Sequence, residues 1–141
     1  MSSKNFENLV KMGMLKPEST NNEEVTGLIY SGQTRLKDAG LEFLSEESRF
    51  DLAYNAAHSI ALAALRLKGY RANNRYIVFQ ALPFTLGVGP EVWRILSKCH
   101  DKRNLAEYEG HCEMDTRLLN ELISAAHILL EKISPFLKGI I

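Results

Sequence analysis

The sequence predicts an all-α fold, an up-and-down bundle of about five to six helices. Three observations carry that prediction. Apolar residues recur at helical spacing in two long segments. The first has Phe50, Ala53, Ala57, Ile60, Ala61, Ala64 and Leu67; the second has Leu118, Leu119, Leu122, Ile123, Ala126, Leu129, Leu130 and Ile133. Capping residues and breakers punctuate these segments where helices should start and stop. The one run with strand character, Tyr76-Ile77-Val78-Phe79, would stand alone among helices, so helix is preferred there too.

The elements follow in order. Phe6, Leu9, Val10 and Met14 predict a short amphipathic helix ending near Lys16-Pro17, so residues 1–19 read as an N-terminal extension and 20–141 as the bundle. Ser19-Thr20-Asn21-Asn22 offers N-caps, and Glu23 and Glu24 suit the positive end of a helix dipole. The second helix takes Val25, Leu28, Ile29, Leu36, Ala39 and Phe43 as its apolar positions, weakened by Gly32 inside it and Gly40 near its end. Ser45-Glu46-Glu47-Ser48 caps the third helix and Gly69 stops it. Alanines 53, 56, 57, 61, 63 and 64 let a neighbour approach closely, which makes this the central helix. Tyr54, Asn55 and His58 lie beside that stripe; His58 reads first as a structural histidine and second as part of a functional surface.

Asn73-Asn74 caps a fourth helix with Tyr76, Ile77, Phe79 and Leu82 apolar, and Pro83 ends or bends it. Gly87-Val88-Gly89-Pro90 is a turn, with Pro90 suited to the first position of a fifth helix that runs from Glu91 to Tyr108 and breaks at Gly110. Asp115 or Thr116 caps the sixth, and Pro135 marks its end or a kink. His127 falls in its apolar pattern and reads as a core or interface histidine. The apolar tail Phe136-Leu137-Lys138-Gly139-Ile140-Ile141 should dock on the bundle or on a partner.

Composition narrows the function classes. At 141 residues the chain is one domain with room for a sizeable core. Lys+Arg and Asp+Glu both number 17, which argues against a strongly basic nucleic-acid clamp but leaves room for a local site. Cys99 and Cys112 form no Cys-x-x-Cys pattern, so two free thiols and no metal site are expected. There is no Gly-rich phosphate loop and no cofactor is expected. Met1-Ser2-Ser3-Lys4-Asn5 has no apolar signal core, and no apolar run reaches the roughly 18–20 residues of a membrane span. The expectation is a soluble cytoplasmic protein with no membrane partner.

The densest chemistry lies in His100-Asp101-Lys102-Arg103-Asn104-Leu105-Ala106-Glu107-Tyr108-Glu109-Gly110-His111, at a helix end and its following turn. Neighbours three or four apart share a helix face, so His100, Arg103, Asn104, Glu107, Tyr108 and His111 are expected to form one polar surface. The plainer alternative is a solvated helix end with an Arg103–Glu107 pair worth about 0.2–0.5 kcal/mol.

With this Arg-Asn pair closing one long helix before another, over residues 20–134, the chain resembles the HEPN superfamily of small helical bundles. The Ala-rich helix with Ala56-Ala57-His58 and Ala61-Leu62-Ala63-Ala64, closed by Lys68-Gly69-Tyr70, adds to the resemblance. In that family the Arg is followed a few residues later by a His; here Tyr108 stands in that place and His111 is the next histidine. The resemblance implies a homodimer whose Arg and His residues face each other across an interface cleft. In the ribonucleases of the family such a cleft cleaves RNA without metal. It also implies Arg103 as phosphate clamp, His111 or His100 for proton transfer, and Asn104, Glu107, Tyr108 and His58 as binding residues. The residue types fit that chemistry: a guanidinium grips phosphate oxygens, a histidine moves protons near neutral pH, and a phenol donates or stacks. Since tyrosine replaces the usual histidine, the leading expectation is a catalytically weakened module that binds RNA, a nucleotide or a partner protein, with a toxin–antitoxin or defence setting implied by the resemblance. The alternatives are a metal-independent ribonuclease toxin and a purely structural bundle. Some family toxins pair with a nucleotidyltransferase that modifies a nearby tyrosine, so a nucleotidyltransferase or antitoxin is an expected partner class, with Tyr108 the candidate target.

Overall fold

The computed structural model describes residues 2–110 and 115–140, and the side chains of 6–110 and 115–137. Among these, the backbone forms α1 (Ser2–Lys11), β1 (Leu15–Pro17), α2 (Asn22–Ala39), α3 (Glu46–Leu67), β2 (Tyr70–Ala72), α4 (Arg75–Gln80), α5 (Leu82–Thr85), α6 (Pro90–Glu109) and α7 (Thr116–Ile140). The all-α bundle is the observed fold, with one two-stranded antiparallel ribbon added. No helix of the described residues is long and apolar enough to cross a membrane.

Side-chain caps set the starts of three helices. The side chains of Asn21, Ser45 and Asn74 accept from the backbone N–H groups of Glu24, Ser48 and Ile77, each three residues on, which satisfies donors the helix itself leaves unpaired. α6 begins at Pro90 and ends at Gly110, whose φ of 85° only glycine adopts without strain and whose N–H donates to the Ala106 carbonyl.

α3 is the central element, packed against α2, α4, α5, α6 and α7. Ala53, Ala56, Ala57, Ala61, Ala63 and Ala64 are all buried along it. The closest approach is at Gly32 of α2, where an added Cβ would lie 2.6 Å from Ile60 Cγ1 and 3.3 Å from the Ala56 carbonyl oxygen. Gly32 is thus kept for packing, at the expense of helix propensity. Gly32→Val is expected to lower stability by about 1–3 kcal/mol through overpacking, measured as a lower urea midpoint at unchanged m-value.

The structure corrects several local expectations. The first helix ends at Lys11, well before Lys16-Pro17. Gly13, at φ 75°, turns the chain, and Leu15–Pro17 pairs with Tyr70–Ala72 as a strand. The residue before a proline favours extended backbone, which suits Lys16 to a strand. Phe6 and Leu15 are buried in the common core, with Phe6 stacked on Tyr70 at 4.8 Å. The fourth helix is two short ones, because Pro83 fits the first turn of α5 and not the interior of a longer helix. Phe43 lies beyond α2 and is 82% exposed, so it belongs to no apolar face. Pro135 does not end α7, which runs on to Ile140. His127 is exposed on α7, so it is no core histidine. At the tail, Leu137 packs against the core.

One polar feature sits inside this apolar frame. Arg66, near the C-terminal end of α3, is 1% exposed. Its Nε donates to Glu24 at 2.8 Å, its Nη1 donates to the Glu18 and Tyr70 carbonyls, and its Nη2 donates to the Ser19 carbonyl. Arg71 of β2 bridges the same two carboxylates, at 2.7 Å from Glu18 and 2.8 Å from Glu24. Arg71 foremost holds the Glu18 carboxyl below its usual pKa, and Arg66 foremost does so for Glu24.

Candidate functional site

The polar residues of α6 reach their places through helical spacing. His100 and Asn104 are one turn apart, and the Asn104 amide nitrogen lies 3.1 Å from His100 Nε2. Arg103 and Glu107 repeat the spacing, with an ion pair of 2.8 Å. The expected pair therefore forms, and it anchors Arg103 without ending its role. The Arg103 guanidinium carbon sits 5.1 Å from the centre of the Tyr54 ring, and its Nε is buried with no hydrogen-bond partner among the described residues. A buried N–H left unpaired costs about 1–3 kcal/mol.

α3 and α4 supply the other half. Tyr54 is fully buried, and its hydroxyl lies 2.9 Å from His100 Nδ1. With the Asn104 amide nitrogen donating to Nε2, the neutral imidazole carries its proton on Nδ1 and donates it to the Tyr54 oxygen. Both nitrogens of His100 are thus engaged. Arg75, first residue of α4, donates to Asn55 Oδ1 at 3.1 Å and places its guanidinium carbon 5.7 Å from the Tyr54 ring centre. Among the described residues Arg75 has no carboxylate partner. Two guanidinium groups therefore flank one buried tyrosine ring, an arrangement worth about 0.5–2 kcal/mol per cation–π contact.

The histidines feel those charges. Burial first, and then Arg75, Arg103 and His100, push the His58 imidazole down to about 4; its ring meets Phe79 edge-on at 5.9 Å. His100 is also lowered, by burial first and by Arg103 and Arg75, against an opposing pull from Asp101. Burial raises the Tyr54 phenol above its ordinary value. Both imidazoles are therefore neutral at pH 7.

Of the cluster, Arg103 alone also lines a neighbouring cleft of about 490 Å³, bounded by Glu47, Ser48, Phe50 and Asp51 of α3 and by Ala106 and Glu107 of α6. The three carboxylates of that cleft make it unfavourable to an anion, so the face that suits an anion is the Arg75 side of the cluster. No family model and no curated protein matches the chain.

The structure brings His100, Arg103, Asn104 and Glu107 together, and His58 meets them through Phe79, whose ring also packs against Tyr54 and His100. Tyr108 does not join; it is 93% exposed. His111 and Cys112 lie outside the described residues. Cys99 is a free thiol buried in the core, pushed up to about 12 by burial and so unreactive near neutral pH. Tyr54, Asn55, Arg75 and Tyr76 were missed as members of the site. Only the Tyr54-Asn55 pair beside the alanine stripe hinted at them.

Proposed function

We propose that the chain is a HEPN-like module, catalytically weakened and homodimeric, that binds RNA or a nucleotide phosphate through the Arg75–Tyr54–His100–Arg103 cluster. The observation that carries this reading is the pair of guanidinium groups 5.7 and 5.1 Å from the centre of one tyrosine ring, Arg75 bonded to a neutral amide and Arg103 keeping a buried N–H with no acceptor among the described residues. Phosphate oxygens are the acceptors such a fork accommodates best. The proton inventory supports binding over cleavage. Attack by a 2′-hydroxyl needs a base, and departure of the 5′-oxygen needs an acid. A neutral imidazole can serve as the base, but both histidines of the described cluster are lowered and so supply no acid at pH 7, and both nitrogens of His100 are engaged. The exposed Leu105 and Tyr108, three residues apart on the outer end of α6, support a second copy or an antitoxin docking beside the cleft. The same exposure leaves the Tyr108 hydroxyl open to a nucleotidyltransferase.

The test is incubation of labelled transfer RNA with the purified protein in EDTA, reading both retention and cleavage. The expected result is salt-sensitive retention of intact RNA. Arg75→Ala and Arg103→Ala should each weaken it about tenfold and each lower the slope of log affinity against log salt by about 1. Cleavage in EDTA that disappears in Arg103→Ala would replace this reading with the ribonuclease one. Unchanged retention in both variants would leave a structural bundle.

A further inference from the structure

Beside the two guanidinium groups lies an aromatic surface that anion binding alone does not use. Tyr76 follows Arg75 at the start of α4, where the Asn74 side chain caps Ile77 N–H at 3.0 Å and fixes the first turn. Successive helical residues point about 100° apart, so the two side chains diverge. Arg75 reaches Asn55 and Tyr54 on α3, whereas Tyr76 lies against α6. There its ring centre is 5.9 Å from that of His100, tilted by 51°, and 6.4 Å from that of Trp93, edge-on at 72°. Two neighbouring rings hold Tyr76 in place, yet 36% of it remains exposed. His100 then links the aromatic side to the cationic side, because the same imidazole touches Tyr54.

We infer that the site takes an unpaired nucleotide of a single strand, with the base stacked on Tyr76 and the phosphate held between Arg75 and Arg103. The inference rests on the proposed anion site and adds to it a requirement for an exposed base. A stacking platform next to a phosphate fork is what single strands need, since their bases present π-faces that a duplex keeps stacked inside. Stacking of this kind tolerates any base, so the site is selective for strandedness more than for sequence.

Trp93 is the one tryptophan of the chain, and its contact with Tyr76 makes its fluorescence a direct reporter. The full chain is titrated with hexauridylate, hexaadenylate, the matching DNA hexamers, a duplex of equal length and inorganic phosphate. Single strands are expected to change the Trp93 emission saturably, with the duplex at least tenfold weaker. Tyr76→Leu should weaken single-strand binding about tenfold and leave the response to inorganic phosphate in place. Tyr76→Phe, which keeps the ring, should restore it and so separates loss of stacking from loss of folding. Arg75→Ala should weaken every ligand. The stronger of the RNA and DNA strands names the source of the nucleotide. Equal binding of duplex and single strand, or wild-type affinity in Tyr76→Leu, would overturn the base platform while the anion site stands. No response to any of these ligands would overturn both.

Discussion

Replacing Arg66 with methionine is expected to lower the stability of the protein by about 2–4 kcal/mol, chiefly the cost of leaving backbone acceptors unpaired. The apolar stem would be filled, so the loss would not come from a cavity. It would come from three backbone carbonyls, those of Glu18, Ser19 and Tyr70, deprived of their donor. Glu24 would be left to Arg71 alone. Glu24, 28% exposed, would keep Arg71 and water, so the loss rests on the carbonyls turned toward the Arg66 side chain, which is 1% exposed where α3, the segment leading into α2, and β2 converge. The measurement is urea unfolding of the wild type, Arg66→Met and Arg66→Lys. The lysine variant keeps charge but not the fork, and should fall in between. A methionine variant within 1 kcal/mol of the wild type would show the cluster to be dispensable.

Acidification is expected to have the second large effect, through His58. Its folded-state pKa of about 4 lies below the ordinary value of 6.5, so the neutral form is favoured by folding. The corresponding stability is fully present above pH 6.5 and is lost as pH falls toward 4, up to about 3 kcal/mol. His100 is lowered too and adds in the same direction. Glu18 and Glu24, also lowered, act only below their ordinary range near 4.5, so the window from 6.5 to 4.5 belongs to the histidines. Urea midpoints at half-unit steps of pH should therefore decline across that window, and His58→Gln should flatten the decline. Parallel curves for the two proteins would refute it. A phosphate between Arg75 and Arg103 would offset part of the repulsion on His58 and raise its folded-state pKa, so a bound ligand should shrink the decline and end it at a higher pH.

These effects trace a boundary between what local sequence conveys and what packing adds. The long helices were legible because their signals are local: a cap at Ser45, an alanine stripe, a proline at the first position of α6 and a glycine just past its end. Half of the site was legible for the same reason, since His100, Arg103, Asn104 and Glu107 are brought together by one helix. Arg75, Tyr76, Tyr54 and Asn55 come from two other helices and meet α6 only by tertiary packing. Tyr108 shows the limit of the helical rule: it keeps the spacing from Asn104, yet at the end of α6 it is 93% exposed. The ribbon was missed because each strand has three residues, too few for any alternation to show. Arg66 was missed because an arginine in a helix reads as surface until its acceptors are known.

The ribbon also imposes an order of events on the chain. Leu15 pairs with Ala72 and Pro17 with Tyr70, so closing it brings together segments separated by the whole α2–α3 hairpin. Two strands this short cannot meet the loop-closure entropy of that span by themselves. The hairpin of α2 and α3 is expected to dock first and carry the two segments to within reach, so that in hydrogen exchange the amides of Leu15 and Lys16 should open before those of α2 and α3. The beginning of the chain thus behaves as a clasp on a hairpin that has already closed.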